Sequence, residues 1–389
     1  MWRAIASNAL SLLIVALAIL AGAIAWGKGQ YTAEGPLTSA ICLRVEPGSN
    51  MTRVSKQLER QGAVSNGSIF RIGADYTDKG SLLKAGAFLI PEKASMTEIV
   101  DIVTRGGASS CGTEIVYRIG VNRTDVLVRE LDPATGSYAK VADFYPDVTG
   151  NEATEVPAEY TKMREASDTR YRISVAEGTT VWRVLESLKG VDFISGSIED
   201  NEKPAEGSLA PDSYEVKVGS DVDDLVARMV ATQDKRIAEI WAKRTDDLPI
   251  SSPEEMLVLA SIIEKETGVP TERRQVASVF VNRLNQGMRL QTDPTVVYDA
   301  SEGRGVLGRG LRRSELQGNT PHNTYVIPGL PPSPIANPGL ASLEAAVDPD
   351  ETPYIFFVAD GTGGHAFAVT LADHNANVAK WREIEKAKQ

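Results

Sequence analysis

The stretch "LASIIEKETG", Leu259–Gly268, is an apolar run that ends in two glutamates. On a helical wheel stepped by about 100° per residue, Met256, Val258, Ile262 and Ile263 cluster around Leu259. Glu266 falls near the centre of that arc. Glu264 falls on the other side, beside Ala260 and Ser261, and is expected as a solvated surface charge. A carboxyl held against an apolar face loses hydration when ionised, so it keeps its proton toward neutrality. That is the property a general acid needs. The alternative is a helix that ends at Thr267-Gly268 and turns Glu266 out to water.

Working outward, the preceding "SSPEEM" is a helix start, with Ser252 as N-cap, Pro253 at the first position and acids in the first turn. A second helix, "ERRQVASVFVNRLNQG", ends at Gly287. "MRLQTDPTVVYDA" follows, with Gln291, Thr292 and Asp293. Six prolines between Pro321 and Pro338 make a stiff irregular loop. The chain closes with "PYIFFVADGTGGHAFAVTLADHNANVAKW", expected as a β-hairpin and a final helix.

Further out, the chain repeats itself at an offset of 130 residues. "VEPGSNMTRVSKQL" from Val45 parallels "VAEGTTVWRVLESL" from Val175. Val45, Gly48, Arg53, Val54 and Leu58 match Val175, Gly178, Arg183, Val184 and Leu188. Each copy predicts a strand, a glycine turn, a polar cap and an amphipathic helix. The later halves also correspond, each an extended segment with an aromatic (Phe88 or Tyr214) followed by a Ser-capped helix. The copies therefore predict two small strand–helix–helix–strand modules. Between them, "TEIVYRIGVNRTDVLVREL" is strand-like, and "YPDVTGNEATEVPAEYTKMREASD" is polar and turn-rich. A helix over 221–244 leads toward the C-terminal domain.

The N-terminus bears 24 residues without formal charge between Arg3 and Lys28, densest from Leu10 to Trp26. At about 1.5 Å per residue this spans a hydrocarbon core of about 30 Å. Ala23-Ile24-Ala25 resembles a cleavage site. The length of the stretch and the interfacial Trp26 favour an uncleaved anchor. The 389 residues carry a net charge of −11, which argues against nucleic acid as a partner. Cys42 and Cys111 are too few for a disulfide scaffold, but they flank the first module and would bridge in an oxidising compartment.

The chemistry narrows by elimination. The only histidines, His322, His365 and His374, form no H-E-x-x-H pattern. No G-x-S-x-G elbow, P-loop or dinucleotide glycine motif is present. An acid on an apolar face among amides, hydroxyls and aromatics suits a glycosidic bond, whose leaving oxygen must receive a proton. Gln291 and Asn323 could hydrogen-bond acetamido or hydroxyl groups, or satisfy backbone groups in turns. Tyr325 could stack on a sugar or pack in the core. His365, after a glycine pair, is a candidate cleft residue. Asp293, before Pro294, is expected to shape a turn. Asn337 is expected to form a loop, and His374 and Asn375 to be structural.

Taken in order, "LASIIEKETG", "VFVNRLNQGMRLQTDPTVVY", "HNTYVIPGLPPSPIANPG" and "YIFFVADGTGGHAF" resemble the YceG-like family of membrane-anchored endolytic murein transglycosylases. The resemblance is dense over about residues 255–380. It implies that the glutamate before threonine, Glu266, is the catalytic acid; from the scattered histidines and missing motifs, no metal or cofactor is expected. The implied reaction cleaves the bond between N-acetylmuramic acid and N-acetylglucosamine within strands and leaves 1,6-anhydro ends. The implied partners are peptidoglycan strands, the cell membrane and a peptidoglycan synthase complex. A hydrolytic muramidase and a non-catalytic wall-binding protein are the alternatives.

The resulting expectation is an α+β chain of five parts. Residues 1–30 form a cytoplasmic tip and transmembrane anchor. Residues 38–108 form a first LysM-like module, and 112–170 an insert that departs from the family. Residues 171–250 form a second LysM-like module with its linking helix, and 251–389 the catalytic domain. The location implied is the cell inner membrane, single-pass, with the N-terminus cytoplasmic and the catalytic domain periplasmic.

Overall fold

The structure is a computed structural model that describes residues 2–106, 109–148, 152–166, 168–198 and 203–388. It is mixed α+β, as expected. The elements in chain order are α1 (Trp2–Thr32), β1 (Ile41–Val45), α2 (Met51–Arg60), α3 (Gly67–Tyr76), β2 (Gly86–Ile90) and α4 (Met96–Arg105). Next come β3 (Thr113–Ile119), β4 (Thr124–Asp132), β5 (Ser137–Phe144), α5 (Ala158–Arg164), β6 (Arg170–Val175), α6 (Val181–Leu188) and β7 (Ile194–Ser195). Then follow β8 (Ser213–Val216), β9 (Ser220–Asp221), α7 (Val222–Trp241), α8 (Pro253–Glu266), α9 (Arg273–Asn285) and α10 (Asp293–Ala300). The last are α11 (Arg313–Leu316), α12 (Leu340–Val347), β10 (Phe356–Ala359), β11 (His365–Ala368) and α13 (Leu371–Lys388).

The chain forms two compact units. One comprises 1–115, 127–143 and 156–170, and the other 116–126, 144–155 and 171–389. The segment 112–170, expected as one insert, is divided between them, because β3 and β4 each supply residues to both.

In the first unit, β1 and β2 pair antiparallel with Leu43 opposite Phe88. Asn50 caps α2 by accepting from the Arg53 N–H at 2.9 Å. Ser95 caps α4 in a reciprocal box with Glu98. Leu43, Val54, Leu58, Phe70, Ile90 and Ile99 are fully buried between these elements. Burying each such side chain contributes about 1.5–3 kcal/mol. Tyr31, near the end of α1, joins that core against Gly73, where a Cβ would lie within 2.2 Å of its ring. Within α1, Leu10–Thr32 is long and apolar enough to cross a membrane. Cys42 and Cys111 form a disulfide with Cα atoms 5.9 Å apart.

The second unit holds the other copy of the repeat, and the strand pairing of the first copy recurs in it. β6 and β8 pair antiparallel with Ile173 opposite Tyr214, the counterparts of Leu43 and Phe88. Gly178 has φ 76° where Gly48 has φ 77°, a left-handed turn that glycine adopts at low cost. Thr180 caps α6 through the Arg183 N–H, as Asn50 caps α2. The copies differ afterwards. Asp221 caps α7, in place of the serine expected from the sequence. Among the described residues, α6 and the short β7 are the elements between β6 and β8.

The rest of this unit is built around α8. Ser252 caps it through the Glu255 N–H at 3.2 Å. Its apolar arc joins Val276, Phe280, Ile335 and Leu343 in a core. The opposite face is also buried. Ala260 and Ser261 are inaccessible, because small side chains there let α12 approach closely. This corrects the expectation for Glu264. Instead of facing water, its Oε2 accepts from the Gly339 N–H at 3.0 Å and the Ser342 hydroxyl at 2.7 Å, at the start of α12. A carboxylate there satisfies free amides and complements the helix dipole.

Candidate active site

Glu266 is the last residue of α8. Thr267 leaves the helix in an extended conformation, φ −138°. The chain then turns at Gly268 into a 3-10 turn, Pro270–Glu272, which leads into α9. The side chain of Glu266 is enclosed but keeps partial access to solvent. Burial raises its affinity for a proton, and the negative charge of Asp293 adds to the effect. The Thr292 hydroxyl, His365 and Arg283 act in the opposite direction. Burial is the largest of these influences, so the carboxyl is biased toward its protonated form.

Thr292 donates its hydroxyl to Glu266 Oε1. It occupies the N-cap position of α10 yet makes no capping bond there, because its hydroxyl is committed to Glu266. A buried threonine network holds it in place. The Thr292 N–H donates to Thr324 Oγ1 at 3.0 Å, and Thr295 bonds both the Thr292 carbonyl and the Thr324 hydroxyl. Arg283, buried on α9, donates to the carbonyls of Ile355 at 2.7 Å and Leu290 at 2.5 Å. Its guanidinium thus ties the loop before β10 to the segment carrying Gln291 and supplies positive charge near Glu266.

The residues singled out in the sequence fall into two groups. Tyr325 and His365 lie near enough to the acid for their charges to interact, and Gln291 directly precedes Thr292, which bonds it. Gln291 is exposed, with φ 49° in the left-handed region that non-glycine residues rarely adopt. Strained residues of this kind cluster at functional sites. Tyr325 donates its hydroxyl to Asp293 Oδ1 at 2.6 Å, and burial raises its proton affinity. Asp293 therefore orients a tyrosine as well as beginning α10. His365, the first residue of β11, accepts no bond on Nε2 from any described residue, and its Nδ1 lies 2.8 Å from Glu272 Oε2.

Asn323 takes the second of its two expected roles, bonding backbone groups rather than standing free for a sugar. It is inaccessible, and its amide donates to the carbonyls of Glu315, Leu316 and Gly318, while its oxygen accepts from the Tyr325 N–H. With every polar atom committed to backbone, it shapes the loop that presents Tyr325. Asn337 likewise bonds the Leu209 N–H and the Thr179 carbonyl, as a loop-former should. The ring of His374 stacks on Phe356 at 5.1 Å, a structural role.

Thr292, Thr324, Arg283 and Glu272 carry no signal in the sequence comparable to that of Glu266. Among the described residues, no group of three or more His, Cys, Asp or Glu side chains converges as a metal site would require.

The profile of the YceG-like family matches residues 151–380, more than half of the chain and all of the residues just described. The chain belongs to the YceG-like family. It is 26% identical over 347 residues to an endolytic murein transglycosylase of Streptococcus pneumoniae, covering 87% of this chain and 58% of that protein. It thus spans a little over half the length of that relative. An endolytic murein transglycosylase of Bacillus subtilis is 28% identical over 366 residues, covering 93% of this chain and 91% of its own. A crystal structure of a YceG-like protein from Listeria monocytogenes is 25% identical, with a TM-score of 0.44, and covers 87% of this chain and 98% of that one.

Proposed function

We propose that this YceG-like protein is an endolytic murein transglycosylase, a lyase that cleaves the N-acetylmuramic acid–N-acetylglucosamine bond within peptidoglycan strands. The observation that carries this reading is Glu266, a carboxyl biased toward its protonated form by burial, still partly accessible, bonded by Thr292 and within electrostatic reach of Arg283, Tyr325 and His365. The transglycosylases to which the chain is similar along most of its length support the same assignment.

The reaction follows from one carboxyl used twice. Protonated Glu266 gives its proton to the glycosidic oxygen, the bond from that oxygen to the muramic acid C1 breaks, and the glucosamine leaves as an alcohol. The muramic acid's own C6 hydroxyl attacks C1, and Glu266, now a carboxylate, takes its proton. The acid is regenerated, no water is consumed, and a 1,6-anhydro ring closes. A tethered nucleophile gains the entropy advantage of an intramolecular reaction. It also removes the need for a second carboxylate to hold water, as inverting glycosidases require. Asp293, the nearby alternative, is engaged by the Tyr325 hydroxyl. In this reading Gln291 and Tyr325 orient the sugar.

In this reading α1 anchors the protein in the inner membrane, with the N-terminus cytoplasmic and the remainder in the periplasm. The Cys42–Cys111 disulfide accords with that oxidising side. The two repeat modules act as LysM-like elements that hold the strand, and the enzyme works beside the synthase complex on newly made strands.

Digestion of uncrosslinked strands in heavy-oxygen water tests the chemistry. The expected products end in anhydromuramic acid, lighter by one water, without label. Label at the new muramic acid terminus would mean that water is the nucleophile and that the protein is a muramidase. Glu266→Gln keeps the size of the side chain and removes the transferable proton. It should lower the rate by about a hundredfold or more.

A further inference from the structure

The reading above leaves Glu272 without a task. It lies six residues after Glu266, at the end of the 3-10 turn that follows α8. Both of its oxygens are aimed at one residue of the closing hairpin. Oε1 accepts from the backbone N–H of His365 at 3.1 Å, and Oε2 lies 2.8 Å from the ring Nδ1. Both side chains are largely enclosed, His365 at 15% and Glu272 at 19% exposure. The backbone has been cleared to let the carboxylate in. Gly364 has no side chain, and a Cβ there would lie 2.4 Å from Glu272 Oε1. The ring is also fixed edge-on against Phe357, with centroids 5.3 Å apart.

This geometry determines which ring nitrogen carries the hydrogen. A carboxylate oxygen only accepts, so Nδ1 must donate. In the neutral ring Nε2 is then bare, and it meets no donor among the described residues. The ring lies close enough to Glu266 for its charge to act on that carboxyl.

We propose that Glu272 is a positioning residue that fixes the tautomer and orientation of His365, so that the bare Nε2 accepts a hydrogen bond from a substrate hydroxyl beside Glu266. The proposal rests on the transglycosylase reading and adds a second residue pair to it. An orienting carboxylate behind an imidazole is the arrangement that hydrolytic triads use for the same purpose. The hydroxyl so held is next to the bond that Glu266 protonates, and aligning it lowers the entropy cost of reaching the transition state.

The test uses Glu272→Gln and Gly364→Ala in the full-length chain in detergent micelles. A glutamine has one oxygen for two donors. If that oxygen keeps the His365 N–H, its amide faces Nδ1 and donates, which forces the hydrogen to Nε2. Nitrogen-15 spectra of histidine-labelled protein read this directly, since the chain has three histidines and His365→Asn identifies the signal. The expected result is an Nδ1–H tautomer in the wild type, an Nε2–H tautomer in Glu272→Gln, and a fall of about 10–100-fold in kcat/KM on glycan strands, the size typical of lost orienting carboxylates. Gly364→Ala, which displaces the carboxylate without changing either partner, should lower kcat/KM in the same way. An unchanged tautomer in Glu272→Gln, or a changed tautomer with full activity, would overturn the proposal. A wild type that cleaves no strand would overturn the transglycosylase reading itself, while the tautomer readout would still decide whether Glu272 sets the ring.

Discussion

Replacing Glu264 separates the two glutamates of "EKE" by what each one does. Both bonds that Glu264 makes to the start of α12 end on one oxygen, Oε2. Glu264→Ala removes the acceptor for the Gly339 amide and for the Ser342 hydroxyl, which is inaccessible to water. Loss of a cap costs about 1 kcal/mol. A buried donor left without a partner costs about 1–3 kcal/mol. Glu264 is half-buried, which places the sum in the lower part of the range, about 2–3 kcal/mol. For a unit of this size that lowers the thermal midpoint by roughly 5–10 °C. Glu264→Gln keeps one oxygen and therefore both bonds, losing only the charge–dipole attraction, about 0.3–1 kcal/mol. Even that loss is offset in part, because Glu264 repels Glu177, whose proton affinity it helps to raise. Thermal unfolding of the full-length chain followed by circular dichroism makes the comparison, with strand cleavage measured on the same samples. The glutamine variant should stay within about 3 °C of the wild type and keep its activity. An alanine variant as stable as the wild type, or a glutamine variant as damaged as the alanine one, would refute the capping role.

Thr292→Val tests the hydroxyl that stabilises the Glu266 carboxylate. Without it the proton is held more tightly, so the alkaline limb of the pH–rate profile should move to higher pH; a shift to lower pH would contradict the assignment. The linked effect on stability has a definite sign. Glu266 has a raised proton affinity in the folded state, so its contribution is present below the unfolded carboxyl range and is lost as pH rises, and Thr292→Val should deepen that loss at neutral pH. The disulfide closes a loop with a sequence separation of 69 residues. Replacing both cysteines by serine should lower the stability of the first unit by up to about 4 kcal/mol on the chain-entropy estimate. Denaturant unfolding of the oxidised and serine forms measures it, and equal midpoints would show that the bridge contributes little.

Much of this protein was legible in its sequence because the determining interactions are local or periodic. The apolar arc of α8 placed Glu266 near its centre, since helix geometry alone fixes which residues share a face. Gly48 and Gly178 marked the left-handed turns of the repeat, and Asn50 and Thr180 the caps, because only a few residue types suit those backbone positions. The repeat carried through to the strand pairing, where Ile173 faces Tyr214 as Leu43 faces Phe88. Tertiary structure decided what depended on partners far away in the chain. Glu264 looked solvated until α12, some 75 residues later, brought two donors to it. Asn323 could have met a ligand or its own backbone, and the carbonyls of Glu315, Leu316 and Gly318 converge on its amide. Thr292 and Glu266 are 26 residues apart, and Glu272 and His365 are 93 apart. A wheel gives the direction of a side chain. Whether that direction meets water, a helix end or a second functional group depends on which distant segment packs there, and no local pattern encodes it.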